Sequence, residues 1–284
     1  MVRIRVPATS ANLGPGFDVM GLAIDRYNEF SFKPNSGSTK ISSMVHQGYN
    51  MVFEHLGREP EPVEITIDAE IPIARGLGSS SSCIIGGMMG ANEVLGRPLE
   101  RKDILRIATF MEGHPDNVTP ALLGGVVISA MEEGEVYSIR IPLKNSYDFI
   151  TIVPDYHLPT EKARTALPDR IPRKDAIYNV SRATLLVSAL MTGQDEMIRI
   201  GFQDKMHQPY RGDLIPGFDK VMAESQELGV LGSYLSGAGS TIMCIAKEGD
   251  DQVFDNVSKF IGKEFPSWKV YRHKLENEGA KRIL

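Results

Sequence analysis

The stretch Pro72-Ile73-Ala74-Arg75-Gly76-Leu77-Gly78-Ser79-Ser80-Ser81-Ser82 sets two glycines and four hydroxyls directly ahead of a run that reads as a helix. Glycine admits positive φ and lets a polyanion come close to the backbone. A helix start adds unpaired N–H groups and a partial positive charge, which suit phosphate. One of the serine hydroxyls could ligate Mg2+. The spacing is not Walker A, because no Gly-Lys-Ser/Thr follows. Nor is it a dinucleotide fingerprint, because Ser81 stands where the third glycine would be. A flexible Gly/Ser turn is the plainer alternative. A second cluster, Glu112-Gly113-His114-Pro115-Asp116-Asn117, gathers two carboxylates, an imidazole and an amide just past a helix end. That density suits a metal ligand plus substrate contacts, or simply a C-cap and Asx turn with solvated charges. A third, Ser236-Gly237-Ala238-Gly239-Ser240-Thr241, reads alone as a tight hairpin and, near a nucleotide, as a neighbour of the phosphates.

These segments need elements to place them. Val2–Val6 alternates apolar and basic residues and reads as a strand ending at Pro7; a second strand fits Met20–Lys33 and a third Val63–Ile67. Helical spacing covers Cys83–Leu95, closed by Gly96, and Arg101–Met111. Strands are expected at 125–129, 136–141 and 148–153. The later half holds a long helix over Ala176–Met191 stopped by Gly193, and another over Asp219–Leu228 stopped by Gly229. It closes as strand (Gly232–Leu235), Gly turn, strand (Thr241–Ala246), helix (Val253–Ile261) and strand (Trp268–Arg272). Mixed elements without strict βα alternation argue for an α+β fold. Two domains are expected, 1–150 and 151–284. Gly48–Val52 is a weak candidate for an adenine contact, with a loop-to-helix entry as the alternative.

Composition narrows the class. A chain of 284 residues with 42% hydrophobic and 24% charged residues is ordinary globular material, long enough to bury a large core. The 31 Lys+Arg against 36 Asp+Glu give a net charge of −5, which argues against a nucleic-acid binder. Cys83 and Cys244 form neither a disulfide framework nor a metal cluster and read as small buried hydrophobes. The N-terminal segment lacks the apolar core of a signal peptide, and no stretch reaches the 18 or so apolar residues of a membrane span. A soluble, cytoplasmic protein without a membrane partner is expected.

Taken together, the motifs are more specific than any one of them. The order Ser10-Ala11-Asn12-Leu13-Gly14-Pro15-Gly16-Phe17-Asp18, then Gly76-Leu77-Gly78-Ser79-Ser80-Ser81, then Glu112-Gly113-His114-Pro115-Asp116-Asn117-Val118, then Ser236-Gly237-Ala238-Gly239 resembles the GHMP small-molecule kinases. The first and third segments match the branch whose acceptor is an amino acid. The resemblance runs from Val2 to about Lys247; Ser240 departs from it, where the family usually has proline. It implies an N-terminal α+β domain with a left-handed βαβ unit, a ferredoxin-like C-terminal domain, ATP and Mg2+ as cofactors, and a homodimer. The activity it implies is transfer of a phosphoryl group from ATP to the side-chain hydroxyl of L-homoserine, a step of threonine biosynthesis. By motif match, Pro72–Ser82 would wrap the triphosphate and Ser80 and Glu112 would hold Mg2+. Asn12, Asp18, His114, Arg164 and Arg211 would read the amino acid.

Elementary chemistry agrees with that assignment, since the acceptor carries an ammonium and a carboxylate. Asp18 suits the ammonium, while Arg164 and Arg211 suit a forked grip on the carboxylate. Each arginine could also be an exposed surface charge. Some sister kinases of the family use an aspartate base in the segment matching Asp116-Asn117, and the spacing to Gly124 leaves either residue at that place. Phosphoryl transfer through a loose transition state needs mainly positioning and charge neutralisation. Mg2+, the loop N–H groups and an arginine are therefore expected to do most of the catalysis, with Asp116 auxiliary. Competing readings are a related kinase acting on an isoprenoid or sugar alcohol, and a silent ATP- or metabolite-binding regulator.

Overall fold

The computed structural model describes residues 1–35 and 43–284, which build two antiparallel sheets with helices packed on them. The first sheet is assembled from β1 (Val2–Ala11), β2 (Met20–Pro34), β3 (Val63–Ala69), β4 (Val126–Glu132), β5 (Glu135–Ile141) and, from the chain end, β10 (Lys281–Ile283). Its order is β10-β1-β2-β4-β5. The 15-residue β2 is long enough for Asn28–Pro34 to pair β3 while Met20–Leu22 pair β4. β1 does not stop at Pro7 as the sequence predicts. The register shifts between Pro7 and Ala8, and an irregularity there accommodates a residue with no ladder N–H to give.

Four helices accompany this sheet: α1 (Met44–His55), α2 (Ser79–Val94), α3 (Arg101–Glu112) and α4 (Pro115–Leu123). The central one is α2, buried along most of its length between α1 and the sheet. A Cβ at Gly87 would lie 2.1 Å from the Val45 carbonyl oxygen, so only glycine lets α1 and α2 approach this closely. The helix starts four residues before the expected Cys83, and the four serines are its first turn; serine is poor inside helices but favoured at their N-terminal ends. Helix α4 has no counterpart in the sequence-based reading. Its two prolines look like breakers, yet Pro115 sits at the first position, where a missing N–H costs nothing, and Pro120 removes a single intrahelical bond. Asp116 and Asn117 therefore stand in the first turn of a helix. The Gly48–Val52 stretch lies inside α1, with Tyr49 and Val52 in the core beside Phe32.

The second sheet has the order β7-β8-β6-β9, from β6 (Tyr147–Val153), β7 (Gly232–Leu235), β8 (Ile242–Lys247) and β9 (Lys269–His273). The helices α5 (Thr160–Thr165), α6 (Arg173–Thr192), α7 (Ile198–Gly201), α8 (Gln208–Gly212) and α9 (Phe218–Glu227) fall between β6 and β7, and α10 (Asp251–Glu264) between β8 and β9. This is the strand-helix-strand-strand-helix-strand pattern of a ferredoxin-like unit. The residue boundary expected at 150/151 falls inside β6, all of whose pairing is within the second sheet. Both cysteines are free; Cys244 is buried and Cys83 half-buried. Among the described residues, no helix is long and apolar enough to cross a membrane.

One apolar cluster joins the two units. Leu13, Met20, Leu22 and Leu77 from the first pack with Phe149, Phe202, Tyr234 and Met243 from the second. The Phe202 and Tyr234 rings stack with centroids 4.7 Å apart. Such a pair contributes about 0.5–1.5 kcal/mol beyond the area it buries. The loops bearing the chemistry surround this joint.

Candidate active site

A cleft opens between the units, lined by the β1–β2 loop (Asn12, Asp18), the loop into α2 (Ala74, Arg75, Gly76, Gly78), the α2 first turn (Ser79–Ser81), the α3–α4 junction (Glu112, His114, Asp116, Asn117), α5 (Thr160, Arg164), α8 (Arg211) and the β7–β8 turn (Gly237, Ala238). The three motifs, at 72–82, 112–117 and 236–241, thus share one cavity.

Its first half is mostly backbone. Gly78, at φ 67°, is the N-cap of α2 and has no side chain to cap the first N–H groups, which line the cleft with Ser79, Ser80 and Ser81. A Cβ at Gly78 would fall 1.9 Å from Thr9 Oγ1, and one at Gly76, at φ 75°, would fall 2.1 Å from the Ser236 carbonyl oxygen. The glycines are required both by conformation and by the strands packed behind them. Ser236 Oγ donates to the Gly76 carbonyl at 2.6 Å, so the β7–β8 turn buttresses the loop. Ser80 Oγ and Ser81 Oγ each donate to the Glu112 carboxylate at 3.2 Å. This hydroxyl–carboxylate set of hard oxygens suits Mg2+, and uncapped N–H groups above it suit phosphate. Arg75 lines the cleft but donates to the Pro154 and Asp155 carbonyls, bracing the loop against the second unit. Pro72, Ile73, Leu77 and Ser82 are outside the cavity lining: Ile73 is exposed, Leu77 is in the core, and buried Ser82 bonds Asn28 and the Ser79 carbonyl.

The second half is side chains. Arg164 holds Asp18 in a fork, Nη2 to Oδ1 at 2.9 Å and Nη1 to Oδ2 at 3.2 Å. Two residues matched to opposite ends of the acceptor are thus paired with each other across 146 positions of sequence. Asn12, at φ 73°, accepts from the Asp18 N–H and donates to the Gly237 carbonyl, fastening the loop to the second unit. Arg211 is buried; its Nε donates to the Ala163 carbonyl and Nη1 to that of Gly237. Burial, and then the neighbouring Arg164, lower its pKa to about 10, so the guanidinium remains charged at neutral pH. His114 Nδ1 and Asp116 Oδ1 are 2.5 Å apart. Burial alone would lower the imidazole pKa, but the bond to Asp116 outweighs it and the net shift is upward. Asn117 Oδ1 accepts from Thr9 Oγ1 at 2.8 Å and lies beside Gly78. Asp18, His114 and Asp116 present ligand atoms within 4.8 Å of one another, but each already has a partner.

Sequence reasoning missed Thr9, Thr160 and Phe17. Phe17 lies within the quoted β1–β2 motif, and its ring faces the guanidiniums of Arg211 (4.9 Å) and Arg164 (5.7 Å). Alternation along β1 was the available signal for Thr9. Nothing local marks Thr160.

Residues 43–125 match the model of the GHMP kinases N terminal domain, and residues 186–263 that of the GHMP kinases C terminal. A homoserine kinase of Clostridium beijerinckii is 43% identical, the match covering 99% of this chain and 98% of that protein. One of Clostridium botulinum (strain Alaska E43) is 44% identical with the same coverage. Among solved structures, homoserine kinase from Cytophaga hutchinsonii superposes with a TM-score of 0.87 at 27% identity, covering 99% of this chain and 97% of its own. A mevalonate kinase shares the fold at a TM-score of 0.73 and 17% identity, with 98% and 100% coverage. With both family domains in order and relatives alike over their full length, the chain belongs to the GHMP kinases.

Proposed function

We propose that this chain is a homoserine kinase, transferring the γ-phosphoryl group of ATP to the side-chain hydroxyl of L-homoserine and so forming O-phospho-L-homoserine for threonine biosynthesis. The observation that carries this reading is the acceptor half of the cleft, which sets a carboxylate and two guanidiniums around one cavity. An isoprenoid or sugar alcohol brings no ammonium to Asp18; a zwitterionic amino acid brings an ammonium for Asp18 together with a carboxylate for Arg164 and Arg211. Asp18 spends one lone pair per oxygen on Arg164 and keeps the others for an ammonium. Arg211 keeps its remaining N–H groups for a carboxylate.

When bound, ATP with Mg2+ supplies the phosphoryl group and the countercharge for its transfer. The α2 N–H groups and the Gly76–Ser81 loop would cradle the phosphates, with Ser80 and Glu112 as metal ligands. Asn12 and His114 orient the acceptor. Asp116 holds His114, and Asn117 sits at the junction between phosphate loop and acceptor. Most of the rate then comes from alignment and preorganised charge, Arg164 included, with Asp116 auxiliary.

An ADP-release assay with Mg-ATP and a panel of L-homoserine, D-homoserine, L-threonine, L-serine, mevalonate and galactose tests the proposal. Release that depends on L-homoserine is expected. Release with mevalonate or galactose in its place would overturn the acceptor. ATP binding without release for any alcohol would make the chain a regulator.

A further inference from the structure

His207, at the N-cap of α8, is fully buried four residues before Arg211. Its Nε2 lies 2.7 Å from the carbonyl oxygen of Gly14, in the loop of the other unit. A carbonyl only accepts, so Nε2 carries the proton and Nδ1, buried without a partner, is the bare nitrogen. The imidazole also packs on Phe17, with ring centroids 5.4 Å apart and planes 30° from parallel. Phe17 is thus contacted by His207 as well as by the two guanidiniums described above, which lie within cation–π range.

The histidine is held firmly in turn. The buried Asp204 carboxylate accepts the backbone N–H groups of Met206, His207 and Gln208 and the side-chain amide of Asn179. Gln208 accepts the Leu235 N–H of β7. A rigid support therefore runs from the second sheet, through His207, to the loop that carries Asp18. Burial holds the imidazole below its usual pKa, against the pull of Asp204, so the neutral form fits this place beside Arg211.

We infer that His207 is a positioning residue for the acceptor: through Gly14 and Phe17 it sets where Asp18, Arg164 and Arg211 meet the amino acid. The inference rests on the acceptor reading above, and its test includes a readout independent of that reading. His207→Leu keeps the bulk and removes the donor, whereas His207→Gln restores an N–H at the Nε2 position without the ring. In His207→Leu the KM for L-homoserine is expected to rise roughly ten- to a hundredfold, as for a carbonyl left without its donor. The KM for ATP and kcat should stay within about twofold. His207→Gln should recover most of the loss. Hydrogen exchange of the 14–18 amides should quicken in the leucine variant and remain near wild type in the glutamine variant.

A leucine variant that loses only kcat or folded fraction, with KM and exchange unchanged, overturns the inference. Should that variant fail to fold, Phe17→Leu decides, because it leaves the His207–Gly14 bond in place. Homoserine KM must then rise without faster exchange at 14–18, and an unchanged KM overturns the inference. If wild-type protein releases no ADP with L-homoserine, the acceptor reading has failed, and exchange alone judges His207: faster in the leucine variant supports it, unchanged rejects it.

Discussion

The two halves of the cleft are built by different means. The half proposed to take phosphate is built mainly from the loop into α2 and its first turn, whose main-chain N–H groups are fixed by the burial of α2, with Glu112 bonded to Ser80 and Ser81. The half proposed to take the acceptor is assembled from side chains of the β1–β2 loop, the α3–α4 junction, α5 and α8, contributed by both units. Backbone donors survive substitution as long as the fold and its glycines do. Side chains can be exchanged one at a time. Such a division lets one architecture keep its phosphoryl chemistry while its acceptor changes.

Breaking the first half should have the largest effect. In Gly76→Ala the new Cβ meets the Ser236 carbonyl oxygen at 2.1 Å with φ at 75°. The loop must move, and kcat/KM for ATP is expected to fall about a hundredfold or more, while the Kd for L-homoserine changes less than about threefold. Steady-state kinetics and calorimetric titration measure the two quantities. A loss shared equally by both substrates would show that the halves are not separate.

Asp116→Asn comes next and sharpens the boundary, because Asp116 is the carboxylate bonded to His114. As an auxiliary group its loss should lower kcat by about ten- to a hundredfold, read from initial rates at saturating substrates. A loss beyond about a thousandfold would mean that it takes the hydroxyl proton itself. The smallest effect is on stability. The His114 pKa is raised in the folded state, so the contact with Asp116 stabilises fully below the unfolded histidine value and is lost as pH rises through the folded one. The Tm difference between wild type and His114→Gln should therefore shrink from about pH 6 to about pH 9. A difference that widens would reverse the assigned sign.

Legibility in the sequence follows the same division. The Gly- and Ser-rich loop into α2, the α+β class and most strands are visible because glycine spacing, turn residues and apolar alternation are local signals. Helix α4 was hidden by Pro115 and Pro120, which mark breaks in sequence but are tolerated at these two positions. Pro7 concealed the second half of β1 in the same way. The cluster Glu112–Asn117 was visible as chemistry, yet its helical geometry was not. Arg164 and Arg211 could be named only through the family resemblance, and the Asp18–Arg164 fork and the Phe17 contacts come from tertiary packing with no periodic trace.

Arg211→Gln tests the division most directly, because it removes the buried charge and keeps a donor for one of the carbonyls it serves. Both KM values and kcat would be measured in the ADP-release assay. The expected result is a rise of about a hundredfold in the KM for L-homoserine, with the KM for ATP within about twofold. A KM for ATP that rises in step, or a KM for L-homoserine that does not move, would contradict it.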